Sequence, residues 1–356
     1  MKSLRLTCLL PVLFWCVANE MAAGETSRPI VRVERVGDAP LIRPDMLPPA
    51  RGDSINGPSM IRVPDWVERP LGRYYLYFAH HRDDHIRMAY ADDPEGPFTV
   101  LAGGVLRLDE QMALRDHIAS PDVLIDGENR RIVMFYHGSN LQDGGPQMTA
   151  TATSPDGIHF TPVGGTVANA YLRVFRRDGQ WFGFTHAGML LRAAEPGAPF
   201  TPVGRMIGPE IAAAVDPARL GEPGATPVAE RPKSGRHRYS IRHVGLDVFD
   251  DTLVIYFSCV GHRPERILCT FVKLHGPPET WRARGVLEVL QPETEWEGAD
   301  LPLAYSEGGI STERVRQLRD PQVFREGDRA WLLYAVAGEN GLGLTRLRYA
   351  TAGGQE

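Results

Sequence analysis

Residues 119–138 read ASPDVLIDGENRRIVMFYHG. A short apolar run opens on Ser-Pro-Asp, a polar turn follows, and a second run carries Phe and Tyr before His-Gly. Two apolar segments of strand length, bounded by turn residues, describe a β-hairpin. Working outward, the same pairing recurs. The aromatic strands are YYLYF (Tyr74–Phe78), IVMFY (Ile132–Tyr136), WFGFT (Trp181–Thr185), LVIYFS (Leu253–Ser258) and WLLYAV (Trp331–Val336). Each follows another apolar strand: PSMIRV from Pro58, PDVLI from Pro121, LRVF from Leu172, LDVF from Leu246 and PQVF from Pro321. These strands start 63, 51, 74 and 75 residues apart.

A second repeated feature sits later in each unit. The turns DPEGPFTV (Asp93–Val100), SPDGIHFTPV (Ser154–Val163) and EPGAPFTPV (Glu195–Val203) lead into a fourth strand, with a looser copy in HGPPETW (His275–Trp281). Aromatic strands with Gly/Pro turns, repeating every 50–75 residues, predict an all-β, five-bladed β-propeller. The fifth unit shows three strands, ending near Tyr349. Ile30–Val36 alternates apolar and polar residues ahead of the first unit. An open ring would leave an unpaired sheet edge, so this N-terminal strand is expected to complete the last blade. The stretch 204–240 fits no blade. It reads as a long inter-blade insertion with a short helix near Ile211–Ala218.

Composition agrees with this reading and excludes several partners. The 356 residues include 37 Gly and 29 Pro, and 43% are hydrophobic, too many for a disordered chain. Asp and Glu (44) outnumber Lys and Arg (39), so no nucleic-acid partner is expected. Lys2 and Arg5 precede the apolar run Leu6–Val17 and the small residues Ala22, Ala23 and Gly24. That order describes a secretory signal peptide over residues 1–23. About 12 apolar residues fall short of the roughly 20 that span a bilayer. The expectation is a secreted or periplasmic protein, with no membrane partner once the signal is removed and one propeller domain over 24–356. Of the four cysteines, Cys259 and Cys269 lie beyond the signal in neighbouring strands. A cross-strand disulfide and two buried free thiols are the two readings open to them.

Propeller ligand sites lie around the central channel, where the innermost strands begin. The polar residues at those positions are Asn56 and Ser59 in unit one, and Asp116, His117, Ser120 and Asp122 in unit two. Unit three offers Asn169 and Tyr171, unit four Arg242, His243 and Asp247, and unit five Arg319, Asp320 and Gln322. A second ring comes from the ends of the aromatic strands, with His80, His81, His137 and His186. Glu307, in YSEGG ahead of the fifth unit, is a loop carboxylate within reach of the channel. Asp116-His117 places a carboxylate beside an imidazole, a pairing suited to acid–base chemistry. The histidines could instead hold a structural divalent cation in the channel, and no other cofactor is indicated. Trp66, Tyr171 and Trp296 are candidates for stacking on sugar rings.

Five units carrying ASPDVLIDGENRRIVMFYHG resemble the five-bladed glycoside hydrolases of family 43 and relatives such as family 117. The resemblance implies a carbohydrate substrate and acid/base hydrolysis in the channel. It assigns Asp122, in SPDV, to the Asp that orients and tunes the catalytic pair. Two positions depart from the family. Its general base, an Asp directly before Pro in the first blade, is Gly57 here. Its general acid, a Glu opening the fourth blade, is replaced in RHVGLDVF by His243 and Asp247 without a Glu. Family 117 is similar in using a histidine as the acid. The expected catalytic residues are therefore Asp122, His117 or His243 as acid, and Asp320 as base or stabilising carboxylate. Asn56, Ser59, Asp116, Arg242, Arg319, His81, His186 and Glu307 are expected to bind substrate. A non-catalytic glycan-binding propeller and a glycoside phosphorylase are the alternatives.

Overall fold

The computed structural model of the chain describes residues 29–48, 54–81, 83–142, 144–185, 187–208, 211 and 240–351. The expected signal peptide over 1–23, the helix expected over Ile211–Ala218 (except Ile211) and His186 lie outside these residues. Val31–Arg348 forms one compact unit; the second unit, 1–30 with 349–356, contributes to the described chain only the first two residues of one strand and the last three of another.

Within the main unit, five antiparallel sheets follow one another along the chain. Blade 1 comprises β2 (Asn56–Arg62), β3 (Tyr74–Ala79), β4 (His85–Ala91) and β5 (Thr99–Val100), with β6 (Leu106–Arg107) also on β4. Blade 2 comprises β7 (Leu114–Asp126), β8 (Arg131–Asn140), β9 (Met148–Ser154) and β10 (Thr161–Asn169). Blade 3 comprises β11 (Arg173–Arg177), β12 (Gln180–Phe184), β13 (Met189–Ala193) and β14 (Thr201–Arg205). Blade 4 comprises β15 (Ser240–Phe249), β16 (Thr252–Val260), β17 (Ile267–Lys273) and β18 (Ala283–Leu290). Blade 5 comprises β19 (Arg319–Glu326), β20 (Arg329–Ala335) and β21 (Leu342–Thr351), and β1 (Pro29–Arg35) supplies its fourth strand. The five-bladed propeller closed by an N-terminal strand is the architecture read from the repeats.

Strand parity explains the aromatic runs. Successive side chains of a strand point to opposite faces, and both faces of a blade pack on neighbours. In β3, Tyr75 and Tyr77 join Ile132, Met134 and Tyr136 between blades 1 and 2. The alternate residues Tyr74, Leu76 and Phe78 join Phe324, Trp331 and Leu333 between blades 5 and 1. The core is thus a set of inter-blade seams, and every position of the second strand must be apolar.

The innermost strands share one irregularity. In β2, β7, β15 and β19 one extra residue is inserted against the neighbouring strand, between Asn56 and Ser59, Ala119 and Asp122, Ile241 and Val244, and Arg319 and Gln322. Three of these bulges contain Pro, which has no N–H for the ladder. The residue before it, Gly57, Ser120 or Asp320, has φ of +59°, +46° or +51°. Bulges re-aim side chains beside ligand sites. Here they turn the channel-end residues of four blades out of the regular alternation.

The cysteines resolve to the second reading. Cys259 and Cys269 are both free and buried. Cys269 pairs with Tyr256 across β16 and β17, and Cys259 lies three residues further along β16. The two thiols therefore sit on opposite faces of the sheet, where no disulfide can form.

Candidate active site

A cavity of about 450 Å³ opens among the strand ends of blades 1 to 3, lined by His81, Asp116, His117, Ser139, Gln147, Tyr171, Gly309 and Ile310. Its volume suits a small ligand. A larger cavity, about 570 Å³, lies among the Asp93–Glu95 turn, the β19–β20 turn and Arg346–Arg348. There Glu95 is already engaged by Arg346 and by the Trp331 indole, so the first cavity is the better candidate.

The wall brings together four residues expected from the sequence. His117 Nε2 stands 3.5 Å from Gln147 Nε2. Asp116, with φ of +67°, leaves its carboxylate at the exposed rim. His81 contributes the third, with its Nδ1 3.3 Å from Oε2 of Glu339. Tyr171, also left-handed at φ +61°, places its ring 4.2 Å from His137 and 4.3 Å from His243. Two imidazoles already pack against its ring, which leaves less of it for stacking on a sugar. Burial pushes its phenol up to about 12, and it stays a hydrogen-bond donor at neutral pH.

Behind this wall runs a buried ionic chain through blades 4, 5 and 1. Arg242 donates two hydrogen bonds to Glu265, at 2.8 and 3.0 Å, and Ser258 donates a third at 2.7 Å. Arg319 lies 3.4 Å from Glu265 and donates to Glu339 at 3.0 Å. Glu339 also accepts from Ser54 and Asn56, each at 3.0 Å. Burial alone would raise both carboxylic acids. The flanking arginines outweigh it at Glu265, and His81 with Arg319 does so at Glu339, which is held at about 2. Both remain ionised. The Glu307–Gly309 segment straps this chain: the Gly309 carbonyl accepts from Arg242 at 3.2 Å and from Arg319 at 3.3 Å, and the Glu307 carbonyl also accepts from Arg242.

Other expected residues occupy places set back from the cavity. Asp122 is wholly buried: the Val174 N–H donates to Oδ2 at 2.7 Å, Gln322 donates to Oδ1 at 2.7 Å, and Arg173 lies 3.4 Å away. It ties blades 2, 3 and 5 together. Burial raises its acid against the opposing pull of Arg173. Asp320 contacts the His243 imidazole across blades 4 and 5. Burial, then Arg242, pushes His243 well below the usual imidazole range, a direction that opposes a charged acid there. Asn56 serves Glu339. The Ser59 hydroxyl accepts from the Val123 N–H at 2.9 Å, linking blades 1 and 2. Asp247 binds Arg325. The Glu307 backbone joins the strap, with its residue exposed.

Among the described residues, one His/carboxylate group has its ligand atoms close enough for a cation, Asp83–Asp84–His85. Asp83 is spent on Arg87 and Asp84 on His85 and Arg107, so nothing marks it as a metal site. His81 faces Glu339. Sequence reading missed Glu265, Glu339 and Gln147. The usable signal was position: Glu339 follows the aromatic strand of blade 5, and Glu265 follows that of blade 4, as His81 follows that of blade 1.

No family model matches the sequence. Over 318 residues the chain is 32% identical to the uncharacterized protein R118 of Acanthamoeba polyphaga mimivirus, with 83% of each chain covered. The chain belongs to the family of that protein. In this member the propeller also has well-matched solved counterparts. A GH43 beta-xylosidase/alpha-arabinofuranosidase from a compost microbial metagenome, in complex with xylotriose, superposes with a TM-score of 0.54 at 11% identity, covering 92% of this chain and 97% of that one. The GH43_1 enzyme from Xanthomonas citri complexed with xylotriose gives 0.52 at 12% identity and 91% of each chain. At such identities the likeness is one of fold: the family member described here has the five-bladed fold of the GH43 hydrolases.

Proposed function

We propose that this protein is an exported glycoside hydrolase that cleaves an oligo- or polysaccharide in the channel-mouth cavity. One observation carries the reading: the mouth of a GH43-type propeller holds a cavity of about 450 Å³ whose wall combines His81, His117 and the Asp116 carboxylate, backed by glutamates whose flanking cations favour the ionised form. Hydrolysis needs a group that protonates the leaving oxygen and one that assists water at the anomeric carbon. His117, on the cavity wall, is assigned the first role. Met112 and Leu141, the two most exposed large apolar side chains among the described residues, lie just outside the paired ends of β7 and β8, the strands that carry Asp116 and Ser139 of the cavity wall. They offer apolar contact for a sugar extending beyond the cavity. Export rests on the N-terminal segment Lys2–Gly24. Among the described residues no helix is long and apolar enough to cross a membrane.

The test is product release from a panel of plant and algal oligosaccharides that includes xylotriose. Wild type should release sugar, and His117→Asn should lower kcat by about 10²–10⁴, the usual contribution of a general acid. A second reading, a glycan-binding propeller, is favoured by Gly57 and His243 at the family's two carboxylate positions. Saturable binding by calorimetry, with no product on long incubation, would replace the first reading with this one.

A further inference from the structure

We propose that His81, held by Glu339, is the base that activates water in this cavity. The inference rests on the glycosidase reading and adds to it a residue pair from two different blades. His81 follows β3 in blade 1 and lines the cavity, while Glu339 follows β20 in blade 5 and is almost wholly buried. The imidazole thus meets the cavity on one side and a fixed carboxylate on the other.

The surroundings make Glu339 an orienting group and not a reagent. Oε1 accepts from Arg319 at 3.0 Å and from the Ser311 N–H at 3.3 Å; Oε2 accepts from Ser54 and Asn56 at 3.0 Å each and faces His81. Those four donors and the His81 contact surround the carboxylate, so it is not available to take a substrate proton. A carboxylate so held favours the tautomer with hydrogen on the near nitrogen, Nδ1, and leaves Nε2 as the proton acceptor. At 3.3 Å the contact is bent and not a linear hydrogen bond, a common condition for catalytic contacts before substrate binds. The His81 backbone is pinned as well, its N–H donating to the Ser54 hydroxyl at 3.3 Å. Six groups face or flank this imidazole: Glu339, with Arg319 behind it, Asp116, His117, Tyr171 and His243. Of the carboxylates among them, Glu339 is spent on four hydrogen-bond donors and the His81 contact, and Asp116 sits at the rim.

His81 Nε2 takes one proton from water as the water oxygen bonds to the anomeric carbon. The glycosidic C–O bond breaks, and its electron pair stays on the leaving oxygen, which takes a proton from the His117 imidazolium. His81 then returns its proton to solvent and His117 regains one, so the net reaction is addition of water across the bond.

Kinetics and ring-nitrogen NMR test the pair together on the full chain. With the best substrate of the panel, His81→Asn should lower kcat by about 10²–10⁴ while KM changes less than threefold. Glu339→Gln should lower kcat without raising KM, and Glu339→Asp should recover part of the loss. In ¹⁵N-histidine-labelled wild type, His81 should carry hydrogen on Nδ1 and none on Nε2. Should Glu339→Gln fail to fold, His81→Asn and the wild-type tautomer decide the matter, because the His81 side chain borders the cavity instead of filling a seam. An active wild type whose His81→Asn variant keeps its kcat within threefold overturns this inference alone, as does hydrogen on Nε2. A wild type inactive on the whole panel overturns the glycosidase reading and this step with it.

Discussion

Gly57 stands where the resemblance to family 43 would put a base, and its geometry leaves no room for a side chain. Its φ is +59°, and a Cβ built there would lie 2.7 Å from the Ser120 Cα of the next blade. A left-handed conformation costs an ordinary residue about 1–2 kcal/mol, and overpacking adds about 1–3 kcal/mol. Gly57→Ala should therefore lower the unfolding free energy in urea by about 2–5 kcal/mol. Gly57→Asp should restore no carboxylate function on the oligosaccharide panel. An unchanged urea midpoint for Gly57→Ala would show that the two bulges do not meet as closely as described. At this scale the sequence was legible in part. SPDV marked Asp122, but its partners Val174 and Gln322 lie 52 and 200 residues away, so its role as a blade tie could not be read locally. Asp320 and His243 were singled out on separate strands, and their contact exists only because blades 4 and 5 are neighbours. Glu265 and Glu339 sit in no motif and are defined by what surrounds them.

Among the elements, the hairpins were plain in sequence because each aromatic strand is apolar on both faces, a demand that only a doubly packed strand makes. The bulges were less plain. Pro58, Pro121 and Pro321 marked strand openings, yet β7 begins at Leu114, seven residues before Pro121, and the inserted residue shows only when the partner strand supplies a register. Parity also decides the cysteines, since Cys259 and the Tyr256–Cys269 pair point to opposite faces. Burial raises the Cys259 thiol strongly and pushes Cys269 up to about 12, so neither is a ready thiolate. In the native protein, neither should react with a thiol reagent at neutral pH. After denaturation without reductant, both should be alkylated, and peptide mapping should find Cys259 and Cys269 unlinked. A peptide joined through these two residues would refute the register of β16 and β17.

For the whole molecule, closure of the ring depends on a strand drawn from the far end of the chain. β21 would be the open edge of blade 5, and β1 covers it. The Val36 N–H donates to the Leu344 carbonyl at 2.9 Å, and Glu34 accepts from Arg346 at 3.0 Å. Arg35 reaches further, donating to Glu297 at 2.9 Å, to Glu293 at 2.7 Å and to the Gln291 carbonyl at 2.8 Å. Those acceptors lie between β18 and β19, so one strand pairs blade 5 and clips the connection from blade 4. Glu297 is fully buried, and Tyr334 donates to it at 2.9 Å. Removing Arg35 would leave that carboxylate with a neutral donor in place of a cation, a loss of about 3–5 kcal/mol for a broken buried pair. Removing β1 altogether would also expose the unpaired backbone groups of β21, an edge that invites edge-to-edge association. A chain beginning at residue 24 should thus unfold at the same temperature as the full chain and remain dispersed in light scattering. A chain beginning at residue 37 should unfold earlier and aggregate, and Arg35→Met in the longer chain should reproduce the loss of stability without the aggregation. If the chain from residue 37 matched the chain from residue 24 in both respects, closure by β1 would contribute nothing, and the fifth blade would have to stand on three strands.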